Sequence, residues 1–475
     1  MPARALWTAD EVAGAVGARG TGDWTATGVS IDSRTLRPGD LFVAVKGPHF
    51  DGHDFVAAAL ANGAAAAIVD HLPPDLQVGA PTVQVPDTLA ALTALGRAGG
   101  DRANARIVAV TGSVGKTGTK EALRHCLERQ APTTANLGNL NNHIGVPLSL
   151  ARMPDDVTYG VFEIGMNSPG EIGVLSRLVR PDVAVITTVA AVHIAAFESV
   201  HDVAEEKGAI FEGLKPGGVA ILNRENAFFP VLDDIARRHG AGTIIGFGAH
   251  PEADARLVDC TIDAESTTVS AIIDGDPIAY RLGSPGRHHA LNSLAVLAAV
   301  KALGADIGAA AEALGELSAA AGRGRRHAVT LAGGTATIID DSYNASPVSM
   351  RAALATLHAM APARGGRRIA ALGDMLELGP DSARLHAALA DSLIENQVDL
   401  VFAAGPEMAH LYAALPDAMK GAHAPNSAAL ADDLTAALGA GDVVVVKGSH
   451  GSRMERVVDA LIALDQPAAR AVNGR

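Results

Sequence analysis

Between positions 111 and 117 the chain reads Thr-Gly-Ser-Val-Gly-Lys-Thr, a run suited to cradling phosphates. Glycine lets the backbone approach an anion, N–H groups at the start of a following helix point toward it, and an adjacent lysine and hydroxyl reach the outer phosphates and Mg²⁺. Gly112, Ser113, Val114 and Gly115 would supply the backbone, Lys116 the charge and Thr117 the hydroxyl. The spacing departs from the common GxxxxGK[ST] loop, since the residue six before Lys116 is Val110. Glu163 ends the apolar run Val161-Phe-Glu-Ile164. A carboxylate there is costly unless it meets a cation, and a hard divalent ion takes such oxygens. The plainer alternatives are an ordinary strand-to-helix turn and a strand-end carboxylate facing water.

A phosphate loop needs a strand entering it and a helix leaving it. The β-branched run at 106–110 and the helical pattern through Leu127 provide both, in the order of a parallel α/β sheet. Further buried strands are predicted at 158–164, 183–189 and 219–222. Upstream, apolar runs at 41–45 and 64–69 and an alanine-rich stretch at 55–62 read as a small α/β unit, followed by a helical connector at 88–97. After Gly322 the pattern restarts, with strands at 335–339, 368–372, 400–404 and 443–446 and a helix at 350–360. The expectation is an α/β chain of three domains, 1–103, 104–320 and 321–475.

The composition narrows the partners. Of 475 residues, 48% are hydrophobic and 19% charged, which excludes intrinsic disorder. Aromatic residues make up 3% and the net charge is −14, so a nucleic-acid partner is not expected. Cys126 and Cys260 are far apart with no zinc-like spacing, and read as reduced, buried thiols. Asp10 and Glu11 precede any long apolar run, and the stretch 183–196 is short and carries Thr187, Thr188 and His193, so neither an export signal nor a membrane span is expected. A cytoplasmic protein acting on small molecules follows as the expectation; a monomer is expected too, although the sequence itself leaves the oligomeric state open.

The loop at 111–117, together with Asn139-Leu-Asn-Asn-His-Ile-Gly-Val-Pro147, Glu163-Ile-Gly-Met166, His193, Lys207-Gly208, Gly286-Arg-His288 with Asn292, and Asp340-Asp-Ser-Tyr-Asn344, resembles the Mur ligases, ATP-dependent amide-forming enzymes of peptidoglycan precursor assembly. The match runs in order along nearly the whole chain. Asp32-Ser-Arg34, Asp51-Gly-His53 and Leu372-Gly-Asp-Met-Leu-Glu-Leu378 are most similar to the branch that joins D-alanyl-D-alanine to UDP-N-acetylmuramoyl-tripeptide. The resemblance implies an amino-terminal domain for the uridine nucleotide, a central P-loop-type ATP-binding parallel sheet and a carboxy-terminal Rossmann-like domain for the acceptor. It further implies ATP and Mg²⁺ as cofactors and an acyl phosphate intermediate.

By the same resemblance, Glu163 and His193 are metal ligands with Thr117, and Lys207 joins them after adding carbon dioxide to become a carbamate. As a plain helix residue beside Glu205 and Glu206, Lys207 reads instead as an exposed charge. Asn292 is implied at the adenine edge, and Arg323 and Asp341 at the ATP phosphates and ribose. Ser33, Arg34, Asp51, His53, Asn139, Asn142, Tyr343 and Asn344 are implied as substrate-binding. Arg325 and Arg326 read as solvated charges without a role. Three positions depart from the family pattern: Ala209 where a Glu is often found, Ser346 where the dipeptide-adding branch commonly has Asn, and His450 where it commonly has Arg. Two other functions compete, a folylpolyglutamate synthase-like ligase and a nucleotide-binding protein that ligates nothing. The Asp32-Ser-Arg34 domain favours the first function over the folate-type one, whose members begin directly with the ATP domain.

Overall fold

The computed structural model describes residues 5–47, 50–74, 76–190, 197–263 and 265–465. The strand Arg106–Thr111 is buried from Ile107 onward and lies inside a nine-stranded sheet. From one edge the order is Asp276–Leu282, Thr267–Ile273, Ala255–Ile262, Thr243–Gly248, Val219–Asn223, Val183–Ile186, Arg106–Thr111, Tyr159–Glu163 and Thr133–Ala135. The first three strands pair antiparallel with one another and all the other pairings are parallel.

Side chains alternate between two covered faces. Val108, Val110, Val161 and Val185 meet the helices Lys116–Glu128, Arg287–Ala302 and Ile307–Glu316, while Ile107, Ala109, Phe162 and Ile186 meet Glu171–Val179, Val200–Gly208 and Phe229–Arg238. Burial on both faces explains why these strands read as continuous apolar runs. After Arg106–Thr111 the chain builds two strands on one side of it and the next three on the other. The crevice at the carboxyl end of that strand is therefore a topological switch point, where open α/β sheets bind ligands. The antiparallel edge departs from the all-parallel expectation; its strand Ala255–Ile262 carries exposed Val258, Asp259 and Thr261, the half-solvated pattern of an edge.

The amino-terminal unit is a parallel sheet of Gly28–Ser30, Asp40–Val43, Ala66–Val69 and Thr82–Gln84. Leu41, Val43 and Ile68 pack with Trp7 and Val12 on one face, and Phe42, Ala67 and Val69 with Val56 and Ala59 on the other. The connector helix runs Thr88–Arg102, five residues beyond its expected end, and is capped by the Asp87 carboxylate on the N–H groups of Leu89 and Ala90. It lies so near Gly145–Ala151 that a Cβ on Gly96 would sit 2.8 Å from the Pro147 carbonyl oxygen.

The carboxy-terminal sheet runs Arg325–Leu331, Gly334–Asp341, Val443–Lys447, Arg368–Gly373, Leu400–Ala404 and Lys420–Ala424, parallel except for the first pairing. Both faces are covered, giving the Rossmann-like layering. Both cysteines are free; Cys126 is buried, which pushes its thiol up to about 12, and Cys260 is half-buried. Among the described residues no helix is long and apolar enough to cross a membrane.

Candidate active site

The phosphate loop is held from behind. Gly112 has φ +148°, and a side chain there would collide with Thr187 Oγ1. Thr187 Oγ1 donates to Val114 O at 2.6 Å, Ser113 N–H to Thr188 O at 2.8 Å, and Ser113 Oγ to Ala190 O at 3.0 Å. The Ser113 hydroxyl thus fixes the loop to the end of the neighbouring strand. Gly115, φ +87°, caps the helix Lys116–Glu128. Lys116 Nζ donates to Gly112 O at 2.6 Å. Burial lowers its pKa, the Glu163 charge opposes that shift, and the Arg323 charge adds to it.

Glu163 is 2% exposed. Thr117 Oγ1 donates to its Oε2 and Asn141 Nδ2 to its Oε1, each at 2.8 Å. Both donors are neutral, so the buried charge keeps a strong call on a cation, and the oxygen set Thr117–Glu163 fits a hard one. Asn136 holds the backbone of the same residue, accepting from Glu163 N–H at 2.8 Å and donating to Glu163 O at 2.9 Å.

Lys207 is a correction to the exposed-charge expectation, being 2% exposed. Its helix Val200–Gly208 buries Val203, Ala204, Lys207 and Gly208 along one face. A Cβ on Gly208 would sit 2.7 Å from Ile235 Cδ1, so the glycine lets the helix sink against Phe229–Arg238 and carries Lys207 inward. Glu206 accepts from the N–H groups of Gly170 and Ile172, docking the helix beside the segment that follows Glu163. Lys207 Nζ lies 3.9 Å from Met166 Sδ. Burial pushes its amine well below the ordinary lysine range, the Lys116 charge adds to this, and Glu206 opposes it. His193 lies outside the described residues.

Asn292, on the helix Arg287–Ala302, comes up against the loop: a Cβ on Gly115 would sit 2.8 Å from its Nδ2. Across from it stand residues of the third sheet. The Arg323 guanidinium lies 4.0 Å over the Tyr343 ring, which in turn meets the His450 ring with centroids 5.6 Å apart. Buried Lys447 donates to Asp341 Oδ2 at 2.7 Å and to Asn344 O at 2.8 Å. Asp340 braces this turn by accepting from Gly322 N–H and Ser342 Oγ. Arg323, Asp341, Tyr343 and Asn344 are thus gathered at the carboxyl ends of Gly334–Asp341 and Val443–Lys447. The Arg323 charge reaches the phosphate loop, where it adds to the lowering of the Lys116 pKa. Arg326 departs from the solvated reading, with Nε and one terminal nitrogen buried and unbonded.

In the amino-terminal unit Ser33 and Arg34 sit on the turn after Gly28–Ser30, and exposed Arg34 forks onto Asp32 at 2.9 and 2.7 Å. Asp51 Oδ1 accepts from His53 N–H at 3.0 Å and takes its Nδ1 at 2.6 Å, while buried His53 accepts the Asp70 N–H on Nε2 at 3.0 Å. That pair ties together the loops at the carboxyl ends of adjacent strands, with His71 stacked on His53 at 4.2 Å. Asn139 is exposed, and Asn142 Oδ1 is engaged by the N–H groups of Ile144 and Gly145 where Gly145–Ala151 begins. Asn136 and Asn141, not singled out by the sequence, are the asparagines that touch Glu163. The available signal was their clustering with Asn139 and Asn142 on one loop.

Ser346 is the N-cap of Pro347–Ala359, its hydroxyl accepting from Ser349 N–H at 3.3 Å. Serine and asparagine are near equivalents there, which accounts for the departure. Ser346→Asn should leave the thermal unfolding midpoint within a degree or two, whereas Ser346→Ala should cost about 1 kcal/mol; equal losses in both would refute the capping account.

Residues 110–300 match the Mur ligase middle domain, 324–450 the Mur ligase, glutamate ligase domain, and 25–99 the Mur ligase family, catalytic domain. The chain is 31% identical over 454 residues to the UDP-N-acetylmuramoyl-tripeptide–D-alanyl-D-alanine ligase of Rickettsia prowazekii, covering 96% of this chain and 99% of that one. It is 34% identical to the Escherichia coli enzyme of the same name, covering 92% and 94%. The crystal structure of MurF from Acinetobacter baumannii superposes with a TM-score of 0.86 at 30% identity, over 98% of this chain and 100% of that one. MurF from Thermotoga maritima in complex with ADP gives 0.77 at 29% identity, over 92% and 97%. Matched along nearly its whole length by relatives 31% and 34% identical to it, and carrying a phosphate loop beside a buried carboxylate, the chain belongs to the Mur ligase family.

Proposed function

We propose that the protein joins D-alanyl-D-alanine to UDP-N-acetylmuramoyl-tripeptide at the expense of ATP. The observation that carries this is the meeting of Lys116, Thr117 and buried Glu163 at the carboxyl ends of the adjacent strands Arg106–Thr111 and Tyr159–Glu163, with buried Lys207 beside Met166 and the Arg323 charge acting on Lys116. The relatives' names supply the substrates, and the sheet Gly28–Gln84 supplies the domain that a folate-type ligase is expected to lack.

The terminal carboxylate of the tripeptide attacks the γ-phosphorus, the bond to the ADP oxygen breaks, and an acyl phosphate forms. The amine of D-alanyl-D-alanine then attacks the acyl carbon, phosphate leaves and the amine gives up a proton. Phosphoryl transfer of this kind needs positioning and charge neutralisation rather than a protein nucleophile. Lys116 places its ammonium on the outer phosphates, exchanging its bond to Gly112 O for them. Asn292 offers an amide, donor and acceptor together, to the adenine edge. Arg323, held by Tyr343, and Asp341, held by Lys447, meet the phosphates and ribose from the other side, closing water out of the site. Thr117 and Glu163, joined by Lys207 as a carbamate, would hold Mg²⁺, which neutralises phosphate charge. Ser33, Arg34, Asp51 and His53 form the uridine-nucleotide side, at the carboxyl ends of their strands. Because ATP and nucleotide-linked sugars are cytoplasmic metabolites, we assign this work to the cytoplasm.

ADP release should require both UDP-N-acetylmuramoyl-tripeptide and D-alanyl-D-alanine, with product mass equal to their sum less water. Steady ATP hydrolysis indifferent to the dipeptide would favour the non-ligating alternative.

A further inference from the structure

Lys120 is a fully buried lysine, 0% exposed, that the chemistry above does not use. It follows Thr117 by three positions on the helix Lys116–Glu128, so the two side chains leave the same face. Its Nζ donates to Glu121 and, at 2.9 Å, to the backbone oxygen of Asn136. Asn136 is itself buried and its amide is fully engaged: Oδ1 accepts from Glu163 N–H, and Nδ2 donates to Glu163 O and, at 2.8 Å, to Leu140 O. One helix therefore grips Glu163 twice, from Thr117 to the carboxylate directly and from Lys120 to the backbone through Asn136. A buried ammonium is expensive, and an apolar side chain of similar length would fill the space without that penalty.

We propose that Lys120 is a positioning residue which, through Asn136, sets the depth and orientation of the Glu163 carboxylate relative to Thr117, and so the affinity of the site for a divalent cation. This rests on Glu163 being a metal ligand. Groups behind a ligand commonly change metal affinity by about 10–100-fold when removed.

Mn²⁺ binding to the full-length protein with ADP, followed by electron paramagnetic resonance, tests this in Lys120→Met, Asn136→Ala, the double variant and Glu163→Gln. Circular dichroism verifies folding. The expected result is Mn²⁺ affinity about tenfold weaker in either single variant and no weaker in the double variant, with metal-free ADP affinity within twofold of wild type. The Mg²⁺ concentration for half-maximal turnover should rise in parallel. Folded Lys120→Met with wild-type Mn²⁺ affinity, or losses that multiply in the double variant, would overturn the proposal. Should Lys120→Met fail to fold, Asn136→Ala decides alone, and unchanged Mn²⁺ affinity there overturns it. The Glu163→Gln arm separates the two levels: affinity lost there but kept in Lys120→Met refutes only the positioning role, and affinity kept in Glu163→Gln refutes the metal-ligand reading itself.

Discussion

Lys116→Ala should lower ligation turnover by about 10²–10³-fold or more, the range seen when a single preorganised stabilising donor is removed from a transition state. The reason is geometric. Lys116 stands at the N-terminus of its helix on a loop whose backbone is pinned by Thr187 and Ser113, so its ammonium is delivered to one place. Arg323 acts on the same spot from the third sheet but is held over Tyr343. The substitution should cost little stability, because among the described residues Nζ donates to backbone oxygens of the loop it belongs to. A melting temperature within a few degrees of wild type is expected. Lys116→Arg should recover little, since a planar fork does not reproduce a compact point charge. Single-turnover ADP release measured beside thermal unfolding checks both halves, and near-normal turnover in a folded Lys116→Ala would remove the phosphate-loop assignment.

How much of this site was legible in the sequence depends on whether the information is local. Gly112 to Thr117 are contiguous and their chemistry depends on one strand–helix junction, so residue types and order suffice. Glu163 stood out because it interrupts an apolar run. Asn136 and Asn141 act on a residue 27 and 22 positions away, a relation created by the pairing of Thr133–Ala135 with Tyr159–Glu163 and by no periodicity in the chain. For Lys207 the resemblance implies a buried metal-binding role that its local sequence does not show. Glu205, Glu206 and Lys207 together look solvated, and only the packing of Gly208 on Ile235 turns the lysine inward. The antiparallel edge at 255–282 gives no comparable signal, because its alternating, half-polar strands lack the apolar density that marks the other strands. The resemblance, by contrast, brings in Asn292, which comes up against the loop from a distant helix, and Arg323 and Asp341, which belong to the carboxy-terminal unit.

Lys207→Ala should abolish ligation, and small carboxylates such as acetate should restore part of it by supplying the oxygens that a carbamate would have offered the cation. Carbamate formation needs a neutral amine: the nitrogen lone pair attacks carbon dioxide and a proton is released. Burial prepares Lys207 for this step, because its pKa lies well below the ordinary 10.5 with Lys116 reinforcing the shift. The same shift has a consequence for stability. Below pH 10.5 the unfolded lysine carries a proton that the folded one tends to give up, so at neutral pH burying the unmodified amine works against folding, and the penalty fades as the pH rises toward 10.5. Lys207→Met removes that penalty while filling a similar volume. In bicarbonate-free, metal-free buffer at pH 7 it should therefore melt at or above the wild-type temperature although inactive, with the difference shrinking by pH 10. A variant that melts well below wild type at pH 7 would show that the buried amine does not strain the fold, and one that keeps its turnover would show that it is not the precursor of a ligand. Loss of activity with a raised melting temperature is the combination expected of a residue placed for chemistry at the expense of the fold.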